Sequence, residues 1–119
     1  MATKALTGAN FDSTVSVDGI VLVDCWASWC APCRRFSPIF EAASEENPDI
    51  VFGTVDTEAE RDLAQMLHIQ MIPTVMAFRE GIMVARESGA FTKKQFDELV
   101  ERVRQLDIDD IRKELESIE

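Results

Sequence analysis

The sequence predicts an α/β fold, with a central mixed β-sheet flanked by helices on both faces and an amphipathic extension at the C-terminus. Three observations carry this. Residues 20–26, Ile-Val-Leu-Val-Asp-Cys-Trp, are apolar on both alternating faces, as a central strand covered from both sides requires. Strand and helix patterns then alternate as far as residue 67. A hairpin pattern over residues 75–85 is followed by one more amphipathic helix.

Taken in order, Leu6 opens a short apolar start, and Phe11 begins a helical turn with Asn10 as its N-cap. Asp18-Gly19 is a turn signal ahead of the central strand. After Cys33 the pattern is helical to about Asn47, where Pro48 stops it, and Pro38 lies inside, where it removes a backbone donor. Residues 50–55 read as a second buried strand, and residues 58–67 as a helix with Ala59, Leu63, Met66 and Leu67 on its apolar side. Residues 75–78 and 82–85 pair around Glu80-Gly81. Thr92 caps a last helix whose core face is Phe96, Leu99, Val100 and Val103.

Beyond Arg104, Asp107 or Asp109 caps a further short helix carrying Ile108, Ile111, Leu115 and Ile118 at three- and four-residue spacing. Two readings stay open for it: a helix folded back on the domain, or a docking surface. The chain divides accordingly into a domain over 1–104 and an acidic extension over 105–119. That extension holds six acids (Asp107, Asp109, Asp110, Glu114, Glu116, Glu119) against Arg112 and Lys113, a net −4 within the total of −10.

At 119 residues, 46% hydrophobic and 29% charged, the chain is one globular domain with an ordinary core. The net charge of −10 argues against nucleic acid or an anionic membrane as a partner. Residues 1–10 carry no apolar export segment, and the longest apolar run is broken by Asp24, so the expected location is cytoplasmic. Cysteines there are kept reduced, and a Cys pair is then catalytic or metal-binding.

That pair is Cys30 and Cys33, in Trp29-Cys30-Ala31-Pro32-Cys33. CxxC by itself is shared by redox sites and zinc sites. A strand that leads into a helix here sets Cys30 at the helix N-terminus. Unpaired N–H groups and the positive end of the helix dipole favour a thiolate there. Pro32 suits the first turn, which does not need its N–H. Cys30 is therefore expected to be the exposed nucleophile and Cys33, one turn inside, the buried resolving thiol. Asp24 shares a strand face with Leu22 and Trp26, so a carboxylate stands on a core face, where its pKa is expected to rise. It is either a structural Asp or a proton acceptor for Cys33. Ile72-Pro73-Thr74 opens a strand, and Cys25, on the opposite face from Asp24, reads as an inert buried hydrophobe.

These features together resemble the thioredoxins over residues 1–104. The residues that match are Val23-Asp24-Cys25-Trp26-Ala27-Ser28-Trp29-Cys30-Ala31-Pro32-Cys33, then Pro38, Ile72-Pro73-Thr74, Gly81 and Gly89-Ala90. The resemblance implies the thioredoxin fold and dithiol–disulfide exchange with protein disulfides. Cys30 is then the attacking thiolate, Cys33 the resolving thiol, Asp24 the buried proton acceptor, and Pro73 a cis proline against Cys30. Trp29, Ala31, Pro32, Ile72, Pro73, Gly89 and Ala90 form the surface where substrate docks. No cofactor or metal is bound; the redox-active disulfide Cys30–Cys33 is re-reduced by an NADPH-dependent thioredoxin reductase, and the protein acts as a monomer.

Four positions depart from the family pattern. Ala31 replaces the commoner Gly between the cysteines. Thr54 stands where thioredoxins usually carry a Lys near the buried Asp, which is expected to leave the Asp24 pKa higher than in relatives. His68 occupies a helix end that normally ends on Gly, and Met71 stands where a small residue usually precedes Ile72-Pro73. Other readings of the chain are an isomerase or oxidase of the same fold, a metal module using Cys30 and Cys33 from two chains, and a non-catalytic adaptor. The second slot of the dipeptide is Pro32, as in reducing members, whereas isomerases commonly carry His there.

Overall fold

The computed structural model describes residues 2–118, and the side chain of Ile118 lies outside the described residues. Strand β2 (Ile20–Trp26) is the centre of a five-stranded sheet with order β1-β3-β2-β4-β5. β1 (Thr3–Ala5) and β3 (Val51–Asp56) run parallel to it, while β4 (Thr74–Arg79) and β5 (Ile82–Ser88) complete the other half as an antiparallel hairpin. The sheet is mixed, as the sequence predicts, because a crossover helix joins β2 to β3 and a tight turn joins β4 to β5.

Alternation along β2 sorts its side chains between two cores. Leu22 packs with Phe36, Phe40, Phe52 and Phe96 under α2 (Ala31–Glu46) and α4 (Lys93–Gln105). Val21, Val23 and Cys25 pack on the other face with Phe11 of α1 (Phe11–Val15) and Leu63 of α3 (Arg61–Met66). The first core is aromatic: Phe36 meets Phe96 edge to face at 5.2 Å, and Phe40 meets Phe52 the same way at 5.2 Å. Burying each such ring contributes roughly 1.5–3 kcal/mol, and this fixes α2 on the sheet. A Cβ on Gly53 of β3 would fall 2.5 Å from Cδ1 of the buried Leu6, the residue after β1, so a larger residue there forces that side chain to shift. The sequence reading missed β1 as a strand, since three residues show no period.

Helix ends follow from side chains. Thr92 and Gln95 form a reciprocal capping box at the start of α4. Asn10 is the N-cap residue of α1, as expected, but its side chain makes no capping bond; its Oδ1 accepts from Thr7 N–H at 2.7 Å instead. Asp56 Oδ1 accepts from the N–H groups of Glu58 and Ala59, and that turn delays the start of α3 to Arg61, later than the pattern predicts. His68 follows α3 with φ 55, and Arg86 of β5 donates to the carbonyls of Leu67 and His68 at 2.6 Å each. Asp107, not Asp109, caps the last helix, α5 (Ile108–Ile118), through the N–H groups of Asp109 and Asp110. On α5, Leu115 is 44% exposed, while Ile108 and Ile111 are half-buried.

Candidate active site at the head of α2

β2 ends at Trp26, and two turn residues, Ser28 and Trp29, deliver the chain to α2. Cys30 is the N-cap, with extended backbone (φ −89, ψ 108), and Ala31 and Pro32 open the helix. Cys30 and Cys33 are joined in a disulfide with Cα atoms 5.2 Å apart, so the structure is that of the oxidised protein. The Cys33 N–H donates to Cys30 Sγ at 3.2 Å. It is one of the helix-end donors that have no carbonyl to bond, and it stabilises negative charge on that sulfur once the disulfide opens.

The expectation of an exposed Cys30 over a buried Cys33 is corrected by the burial: the two are 4% and 2% exposed. Cys30 is covered because Ile72, half-buried, packs against the cluster of Ala27, Cys30 and Cys33, and the Ile72 carbonyl oxygen lies 3.7 Å from Cys30 Sγ. What separates the two sulfurs is position, Cys30 at the helix mouth and Cys33 one turn inside, and not exposed area. The Ile72–Pro73 bond is cis. Pro73 is buried, and its carbonyl accepts from Gly89 N–H at 2.9 Å, which brings Gly89 and Ala90 to the same end of the sheet. Trp29 is 66% exposed beside the disulfide and Met71 is 64% exposed beside Ile72, so apolar surface lies open on both sides of Cys30. Among the described residues no group of three or more His, Cys, Asp or Glu is arranged to hold a metal.

Asp24 is 3% exposed on the α2 face of β2, and its Oδ1 has no hydrogen-bond partner among the described residues. Burial alone pushes its pKa from 3.8 up to about 7. Its neighbours across the sheet are Thr54 and Val75, neither of them charged. Asp24 and Cys33 line one cleft of about 220 Å³ with Trp26, Ser37 and Thr54. Cys25, on the opposite face, is held as a thiol: burial and then the Asp24 charge push it up to about 12, against a smaller pull from Arg86.

The disulfide at a helix head, the buried carboxyl behind it and the cis proline facing it form the constellation that the sequence resemblance implies. A family description, “Thioredoxin”, matches residues 2–102. The chain belongs to the thioredoxin family. It is 46% identical to the putative thioredoxin 2 of Streptomyces coelicolor over 112 residues, 94% of this chain and 84% of that one. To thioredoxin-1 of Saccharomyces cerevisiae it is 37% identical over 76% of this chain and 87% of that one. A solved structure of Plasmodium falciparum thioredoxin superposes with a TM-score of 0.77 at 32% identity, covering 83% of this chain and 97% of that one. Cys30–Cys33 occupies the family's CxxC position, and the protein is a dithiol–disulfide oxidoreductase.

Sequence reasoning set Asp24 and Cys25 on opposite faces of β2, but it expected Cys30 exposed and it missed the polar side of α2. Ser37 and Glu41 follow Cys33 at four-residue intervals and line the same cleft as Asp24. That spacing puts all three on one helix face, and a polar stripe beside the buried Phe36 and Phe40 was the available signal.

Proposed function

We propose that the protein works in the reducing direction, as a protein-disulfide reductase. The Cys30 thiolate attacks a sulfur of a substrate disulfide and expels the other as a thiolate, which takes a proton from water, leaving a mixed disulfide. Cys33 then loses its proton to the Asp24 carboxylate and attacks Cys30, which closes the Cys30–Cys33 bond and releases the reduced substrate. The observation that carries this is the cleft shared by Cys33 and Asp24, which sets an unpaired buried carboxyl behind the inner sulfur and not behind the outer one.

Substrate docks as an extended segment across Trp29, Ala31 and Pro32 on one side and Ile72, Pro73, Gly89 and Ala90 on the other. Exposed Trp29 and Met71 supply the apolar contact. Protein disulfides are the substrates, and an NADPH-dependent thioredoxin reductase returns the two electrons. A monomer suffices, and a reducing compartment such as the cytoplasm suits this direction.

The test is NADPH oxidation coupled through a thioredoxin reductase to reduction of insulin disulfides. Turnover that depends on Cys30 and Cys33 is expected. No turnover with a competent reductase overturns the reducing direction and leaves the isomerase or adaptor readings.

A further inference from the structure

Neither Cys33 nor Asp24 touches bulk solvent, at 2% and 3% exposure, yet the proton that Cys33 gives up has to leave the protein. The cleft behind them is the route available. At about 220 Å³ it is roomy enough for several waters, and besides Asp24 and Cys33 its lining combines the polar Thr3, Arg34, Ser37, Glu41 and Thr54 with the apolar Trp26, Ala27 and Phe40. Arg34 is tied to the Ser28 carbonyl at 2.7 Å. Glu41 is half-buried, so its carboxylate reaches both the cleft and solvent, and Thr3 Oγ1 donates to its Oε1 at 3.2 Å.

We propose that this cleft is the proton outlet of the exchange reaction and that Glu41 is its outer proton acceptor. The inference rests on the roles given above to Cys33 and Asp24. In the resolving step the Cys33 proton passes to the Asp24 carboxylate, the Cys33–Cys30 bond forms, and the Cys30–substrate bond breaks. The substrate leaves as a thiolate and takes a proton from water. Asp24 then hands its proton through water in the cleft to the Glu41 carboxylate, which releases it to solvent. The titratable or charged groups that line the cleft with Asp24 are Cys33, Arg34 and Glu41, all from α2. β1 and β3 contribute Thr3 and Thr54, and β4 places Val75 opposite Asp24; none is charged.

An Asp24 that already holds a proton must empty through the outlet before it can serve as a base. The experiment is rapid mixing of the reduced full chain with 5,5′-dithiobis-(2-nitrobenzoate), which releases one coloured thiolate on attack by Cys30 and a second on resolution by Cys33. The wild type is expected to resolve in a single phase at all pH values from about 6 to 8. Glu41→Gln is expected to resolve in two phases near neutral pH, the slow one at least about tenfold slower, its amplitude falling as pH rises. Gln keeps the acceptor for Thr3, so the fold is spared. Added imidazole, a small base that fits the cleft, restores the single phase. Glu46→Gln, which removes the same charge from α2 outside the cleft, behaves as wild type.

A single wild-type phase in Glu41→Gln, with resolution slowed in Asp24→Asn, overturns the outlet and leaves the role of Asp24 standing. Resolution unaffected in Asp24→Asn overturns that role and the outlet with it.

Discussion

Thr54 lies directly beside Asp24 in the parallel pairing of β2 and β3, and it places a hydroxyl there in a sheet position from which a longer basic side chain would reach the carboxyl. Among the described residues nothing charged offsets the burial of Asp24, which raises its pKa to about 7. Replacing Thr54 with Lys is expected to pull the Asp24 pKa down by about one to three units, the usual effect of an opposite charge within hydrogen-bonding reach. Following the Asp24 carboxyl by NMR titration in both proteins checks this. The pH at which Cys33 resolves the mixed disulfide should fall with it.

The same burial makes stability depend on pH. Asp24 binds its proton more tightly folded than unfolded, at about 7 against 3.8. Its contribution to stability is therefore complete below about 3.8 and is lost as pH rises through about 7. Ionising so buried a carboxyl costs roughly 4 kcal/mol at the upper limit. Asp24→Asn removes that cost, so urea unfolding should show the variant more stable than wild type at pH well above 7 and close to it in acid.

His68 holds a left-handed backbone with φ 55 at the end of α3, a conformation that glycine adopts freely. His68→Gly should raise stability by about 1 kcal/mol, seen as a higher urea midpoint at unchanged slope. The Arg86 bonds to the Leu67 and His68 carbonyls use backbone oxygens and survive that change. Arg86→Met should lose them and destabilise by about 1–3 kcal/mol.

Gly53 tests the sheet edge. A methyl group there meets Leu6 at 2.5 Å, and Leu6 is itself 2% exposed with little room to turn. Gly53→Ala is expected to cost about 1–3 kcal/mol by displacing the Leu6 side chain, and the same substitution made in a Leu6→Ala background should cost less, as a double-mutant cycle reads.

Much of this was legible in the sequence because long, strongly patterned segments carry their own evidence. β2 reads as central from seven residues apolar on both faces, and α4 from Thr92 and four core positions that are all buried. The thiols, Asp24 and Pro73 read together through their order along the chain. What did not read was set by contacts between distant segments. β1 is defined by its pairing with the distant β3, where Gly53 leaves room for the Leu6 side chain, and α3 starts late because the Asp56 side chain takes two N–H groups first. Cys30 is covered by Ile72, 42 residues away, which no local pattern records. The place of α5 follows the same rule, since its spacing shows a helix and no local pattern says what that helix packs on.

The central claim is that Cys30 attacks and Cys33 resolves, and trapping measures it most directly. Reduced Cys33→Ser, mixed with a disulfide-bonded protein such as insulin, should accumulate a stable mixed disulfide through Cys30, visible as a thiol-sensitive mass adduct. Reduced Cys30→Ser under the same conditions should form none. An adduct that forms through Cys33 in Cys30→Ser, and not through Cys30 in Cys33→Ser, would contradict the assignment.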